Sequence, residues 1–121
     1  MRDLTGEMTL VRIYFGDSDK HGHQRLSTAL LERLRREGFA GATVLHGAAG
    51  FGATSVLHTD TIERLSVDLP VVVEVVESPE RVEALRAILD EMLTGGFVTM
   101  EPVHVLRYAA GPVGKLPADG S

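Results

Sequence analysis

The sequence contains no cysteine. That excludes a disulfide framework, thiolate chemistry and a cysteine-ligated zinc site. Positive charge is also short, with 12 Lys and Arg against 17 Asp and Glu and a net charge of −5. A general nucleic-acid binder usually shows a basic footprint, so no nucleic-acid partner is expected. Anionic ligands stay open, because they need only a local positive pocket. Long apolar runs are missing too: the one at residues 71–76 is interrupted by Glu74, so no membrane insertion is expected. The opening MRDLTGEMTL carries charges of both signs and no apolar stretch. No secretory signal is therefore expected, and the default compartment is the cytoplasm.

What is present fits one globular domain. The 121 residues are 44% apolar and 24% charged, enough for a real core. Residues 8–15, MTLVRIYF, alternate: Val11, Ile13 and Phe15 share one strand face, Leu10, Arg12 and Tyr14 the other. GDSDKHGH at 16–23 reads as a turn-rich loop. Leucines at 26, 30, 31 and 34 give an amphipathic helix over 24–37, with Gly38 suited to end it. A second strand at 42–45 runs into glycines 47, 50 and 52. A third strand is expected at 69–77. Ser78-Pro79 then reads as N-cap and first residue of a second helix, closed by Gly95-Gly96. A last strand covers 97–108. Residues 1–7 form an N-terminal extension, 8–110 the domain, and 111–121 a Gly/Pro-rich tail expected to be flexible.

The order β-α-β-β-α-β predicts an α+β, ferredoxin-like sandwich, two helices on one face of a four-stranded antiparallel sheet. Strand three has valines on both faces, so the face without helices should also be covered. Two helices cannot cover both faces, which points to other copies of the chain.

The glycines fit neither nucleotide-binding fingerprint. G-x-x-G-x-G is not the Rossmann order, and Gly52-Ala53-Thr54 lacks the lysine of a Walker loop. The stretch does resemble the PII signal-transduction proteins, whose second strand carries a Thr-Val pair and ends in Gly-Phe-Gly before a long loop. Here these are Thr43-Val44 and Gly50-Phe51-Gly52. A nearer resemblance is to an uncharacterised prokaryotic PII-like branch, sharing YFGDSD at 14–19, GxTVxxGxxGFG at 41–52 and LSxDLP at 65–70. It spans residues 10–108.

The resemblance implies a homotrimer that binds an adenine nucleotide in clefts between subunits and signals through the loop at 53–66. Carried over by position, the site residues are Thr43, Gly50, Gly52, Thr54, Glu74 and Arg107. Only Thr94-Gly95-Gly96 remains of a longer loop, and Ala109 replaces a second phosphate-facing arginine, so AMP or ADP fits better than ATP. No cofactor is required and no enzymatic activity is expected. A membrane channel or transporter, fluoride exporters especially, is the partner the resemblance implies.

Read from the residues alone, each position keeps a second explanation. Gly50 and Gly52 either bend the strand end or also admit a ligand to the backbone. Thr43 is either a β-former or a cleft residue, and Arg107 either an ion-pair partner or a phosphate ligand. Glu74, in an apolar strand, needs an inter-subunit salt bridge or a ligand hydroxyl. His21 and His23 could supply two metal ligands, the basis of a rival reading as an ion-handling trimer similar to the divalent-cation tolerance proteins.

Overall fold

The computed structural model describes residues 2–52 and 68–109. Its main sheet has four strands: β1 (Gly6–Gly16), β4 (Thr43–His46), β5 (Pro70–Glu77) and β6 (Phe97–Val105). Their spatial order is β4-β5-β1-β6, and every neighbouring pair is antiparallel. Helix α1 (Leu26–Arg36) links β1 to β4, and α2 (Val82–Met92) links β5 to β6. Sequential strands thus lie apart in space, as the split βαβ order requires.

Alternation decides which face carries the helices. Val11, Ile13 and Phe15 of β1 and Val71, Val73 and Val75 of β5 all point into one buried cluster. Leu26, Leu30 and Leu34 of α1 and Leu85, Ile88 and Met92 of α2 complete it. Both helices therefore cover the same side. The other side shows Leu10, Arg12 and Tyr14 beside Pro70, Val72, Glu74 and Val76, all only half-buried.

Helix α1 ends as its glycine predicts. Gly38 has φ +84°, its N–H donates to the Arg35 carbonyl, and the Phe39 N–H reaches back to Leu34 at 3.0 Å. This is a Schellman ending, with Phe39 and Leu34 both in the core. Arg81, the residue just before α2, seals it. Its guanidinium lies 4.2 Å from the centre of the Phe39 ring and donates to the Glu37 and Gly38 carbonyls, both at 3.0 Å. A cation there also complements the negative end of the helix.

Four expectations are corrected. The loop at 16–23 contains a strand, β2 (Lys20–His21), paired with β3 (Gln24–Arg25) across Gly22 at φ +64°. Helix α1 accordingly starts at Leu26, whose N–H donates to the Asp19 carbonyl at 2.8 Å. Ser78 makes no side-chain cap. The chain closes a 3-10 turn (Pro79–Arg81) through the Arg81 N–H to the Ser78 carbonyl, and α2 begins only at Val82. The last strand stops at Val105, because its partner β1 has run out at Gly6.

Below β5 lies a polar knot. The Glu77 side chain is 0% exposed, and Arg2 grips it with bonds of 2.6 and 2.9 Å. The Ser78 and Ala40 amides donate to the same carboxylate at 2.8 and 3.3 Å. Burial pushes Glu77 upward. Arg2 and the two amides outweigh it and hold the carboxyl at about 2.

Candidate functional site

The end of the sheet where β4 stops and β5 starts is shaped by glycines for different reasons. At Gly47 an added Cβ would lie 2.6 Å from Pro70 Cγ, and at Gly50 3.1 Å, so these two are small because Pro70 packs on them. At Gly52 no atom of the described residues lies within 4 Å of an added Cβ. Pro70 also ends the pairing: the Gly47 N–H donates to its carbonyl at 2.8 Å, but Pro70 has no N–H to return. The strand end is thus a bend packed by Pro70 at 47 and 50.

Across from this collar the turn between α2 and β6 comes in close. Gly96 has φ +83°, and any Cβ there would collide with the Tyr14 carbonyl oxygen. That contact sets the Phe97 ring parallel to Tyr14, with centroids 4.4 Å apart and planes 9° from each other. Collar, turn and ring pair enclose a cavity of about 590 Å³. Its lining includes Gly50, Phe51, Gly52, Pro70, Thr94–Gly96, Asp19 and Asp68. Phe51 is 84% exposed, so its ring serves no core. Asp68 accepts a 2.8 Å bond from the Ser18 amide, and its carboxylate fills the space beside Gly16.

Gly50 and Gly52 are the two sequence-predicted residues that line this cavity. Thr43 and Glu74 lie opposite each other on β4 and β5. They sit on the open sheet face, one alternation step from the Val72–Tyr14 pair at the cavity's rim. Within this chain Glu74 pairs with Arg12 at 3.0 Å, and Arg12 also binds Glu101 at 2.8 Å. Arg107 is exposed, two residues past the end of β6. Val105 pairs with Gly6 and Phe97 with Tyr14, so Arg107 is displaced from the cavity by roughly 25 Å of strand. Thr54 and the loop at 53–66 lie outside the described residues.

The histidines disperse. His21 and His23 are exposed on the β2–β3 hairpin, His46 contacts Asp17 at 3.2 Å and His104 contacts Glu7 at 2.6 Å. Among the described residues no group of three or more His, Asp or Glu could hold a metal ion. No described helix is long and apolar enough to cross a membrane.

Several participants escape a reading of the sequence. Alternation places Arg12 on the open face, but nothing in one sequence pairs it with two glutamates on different strands. Phe51 is visible only as the middle of Gly-Phe-Gly, and Asp19 and Asp68 only as members of the YFGDSD and LSxDLP stretches.

A four-stranded antiparallel sheet in this order, with both helices on one side, is a ferredoxin-like split βαβ sandwich. The comparisons narrow this. Residues 8–105 match the DUF190 family, described as an uncharacterized ACR, and the chain belongs to that family. A UPF0166 protein of Methanocaldococcus jannaschii is 33% identical over 99 residues, covering 81% of this chain and 91% of the relative. One from Aquifex aeolicus is 31% identical over 99 residues, with 80% and 91% covered. The crystal structure of a protein from Thermus thermophilus, described as PII-like signaling, superposes with a TM-score of 0.59 at 20% identity. The match covers 84% of this chain and 91% of that one. At that identity the likeness speaks for the fold.

Proposed function

We propose that the protein is a PII-like regulator: a homotrimer that binds an adenine nucleotide, AMP or ADP rather than ATP, in clefts between subunits. The observation that carries this reading is the cavity walled by the Gly50–Gly52 collar and the Thr94–Gly96 turn. The chain leaves Gly52 directly into residues 53–66, so a ligand at the collar touches the root of the segment that would contact a partner. On the family resemblance that partner is a membrane channel or transporter.

Two features support the involvement of sister copies. Leu45, Phe97, Val98 and Met100 are large apolar residues left exposed on the single chain, more than a monomer needs to show. The strand geometry also keeps Arg107 away from its own chain's cavity, so it can serve a phosphate there only from a second copy. The guanidinium offers the planar donor fork that phosphate favours.

Sedimentation and calorimetric titration of the purified protein test this together. The expected result is a trimer that binds AMP or ADP, with Arg107→Ala weakening nucleotide binding while leaving the trimer intact. At a hundredfold excess over Kd the ligand should add about 2.7 kcal/mol of stability. A monomer, or a trimer that ignores all adenine nucleotides, would refute the reading.

A further inference from the structure

The YFGDSD and LSxDLP stretches, far apart in the chain, meet at the turn that follows β1. The Asp19 N–H closes this turn by donating to the Gly16 carbonyl at 3.0 Å. The Asp17 N–H donates to the Leu69 carbonyl and the Ser18 N–H to the Asp68 carboxylate, both at 2.8 Å. The turn thereby holds the chain where it enters β5. The Asp17 side chain reaches the other way, to the end of β4, with Oδ1 3.2 Å from His46 Nε2. Its Oδ2 accepts a 2.7 Å bond from Arg25, the residue just before α1. The Asp19 carbonyl accepts the N–H of Leu26, the first residue of that helix, at 2.8 Å. One turn is thus bonded to the two strands between which residues 53–67 run, and to the start of a helix.

These bonds fall where the β4–β5 ladder gives out. Gly47 donates to Pro70, and Pro70 has no N–H with which to answer. We infer that the Gly16–Asp19 turn is a clamp: it couples the end of β4 to the start of β5, and both to α1, through Asp17. The grip is uneven. Two backbone N–H groups hold the β5 side, whereas the β4 side depends on one contact between partly exposed side chains, which are 57% and 28% accessible. Such a contact contributes little and opens first. The turn can therefore release β4 while keeping β5, and a change at either strand end reaches the other through one carboxylate. Every contact in this clamp is made by the chain itself, so the inference does not depend on the ligand proposed above. A coupling of this kind is established by measuring it, not by adjacency.

Amide hydrogen exchange of the full chain, followed by NMR at one pH and corrected for intrinsic rates, tests this with each substitution read at the opposite strand end. His46→Ala should speed exchange of the Asp17 and Ser18 amides about threefold, and Asp17→Ala should speed that of the Gly47 amide by a similar factor. The double variant should exchange at Gly47 no faster than Asp17→Ala alone, because both substitutions remove the same contact. The Glu37 amide, bonded to Arg33 at the far end of α1, should stay unchanged. Should Asp17→Ala fail to fold, Arg25→Ala removes an exposed partner of the same carboxylate and should speed Gly47 in the same direction. Unchanged rates at the opposite end, or effects of the two substitutions that add, would overturn the inference, because the strand ends would then be held independently. Acceleration that extends to Glu37 would overturn it too, since it would report a loss of stability across the whole fold. Nucleotide binding is read separately by the titration above and stands or falls on its own.

Discussion

Glu77→Gln is the substitution whose effect can be worked most directly from the structure. Gln keeps the shape of the side chain but has one acceptor oxygen where the carboxylate uses two, Oε2 for the Ser78 amide and Oε1 for the Ala40 amide. It therefore loses the charge facing Arg2 and one amide bond, as the protonated carboxyl also does. In the native chain the carboxyl is lowered from 4.5 to about 2. At 1.36 kcal/mol per pKa unit, that difference is worth roughly 3 kcal/mol at neutral pH. The sign follows from linkage. Between about pH 4.5 and 2 the unfolded chain binds a proton that the folded chain does not, so stability falls as pH falls through that window. The full contribution is present above pH 4.5 and is gone below about 2.

The informative quantity is the difference between native and Glu77→Gln proteins at each pH, because other titrating groups cancel in it. Urea unfolding at fixed protein concentration, from pH 7 down to 2, should give a gap of about 2–3 kcal/mol at neutral pH that closes on acidification. For a chain of 121 residues the neutral gap corresponds to roughly 10 °C in melting midpoint. A gap independent of pH, or one under about 0.5 kcal/mol at pH 7, would mean that the knot is solvated and that the burial argument is wrong.

Two glycines with nearly the same φ should respond differently to alanine. At Gly38, φ +84°, the nearest atom to an added Cβ is an Arg81 nitrogen at 3.7 Å, so only the conformational penalty of about 1 kcal/mol applies. At Gly96, φ +83°, the Cβ also collides with the Tyr14 carbonyl, so Gly96→Ala should cost at least ~2 kcal/mol and disturb the ring pair. Denaturant unfolding of the two variants side by side checks this, and equal costs would remove the steric claim at the cavity wall.

The parts of the fold legible in the sequence are those governed by one repeating rule. Alternation places Val11, Ile13 and Phe15 together, the leucine spacing places α1, and Gly38 marks its end. The β2–β3 hairpin is not legible, since its strands are two residues long and carry no apolar alternation; only the positive φ at Gly22 makes it a turn. The site is half legible for a related reason. Gly-Phe-Gly signals an unusual strand end, but whether a glycine is small for a neighbour or for a ligand depends on what folds against it. Pro70 answers that at positions 47 and 50, and it comes from well further along the chain. The Arg12–Glu74–Glu101 cluster needs three strands in register before it exists at all.

That cluster sits in the middle of a face that is otherwise largely apolar, which gives the assembly its sharpest test. On an exposed surface the two ion pairs would be worth little, about 1 kcal/mol or less each, and Arg12→Leu would be nearly silent. Sealed beneath a second copy, the same substitution would leave Glu74 and Glu101 buried without their shared cation, at a cost of about 3–5 kcal/mol. Replacing all three residues with apolar ones of similar size removes charge and countercharge together, so assembly should survive or strengthen while its register loosens. Sedimentation should therefore find Arg12→Leu dissociated or weakened and the triple variant associated. If the single and triple variants behave alike, the cluster lies in water, and the open face of the sheet is not where the copies meet.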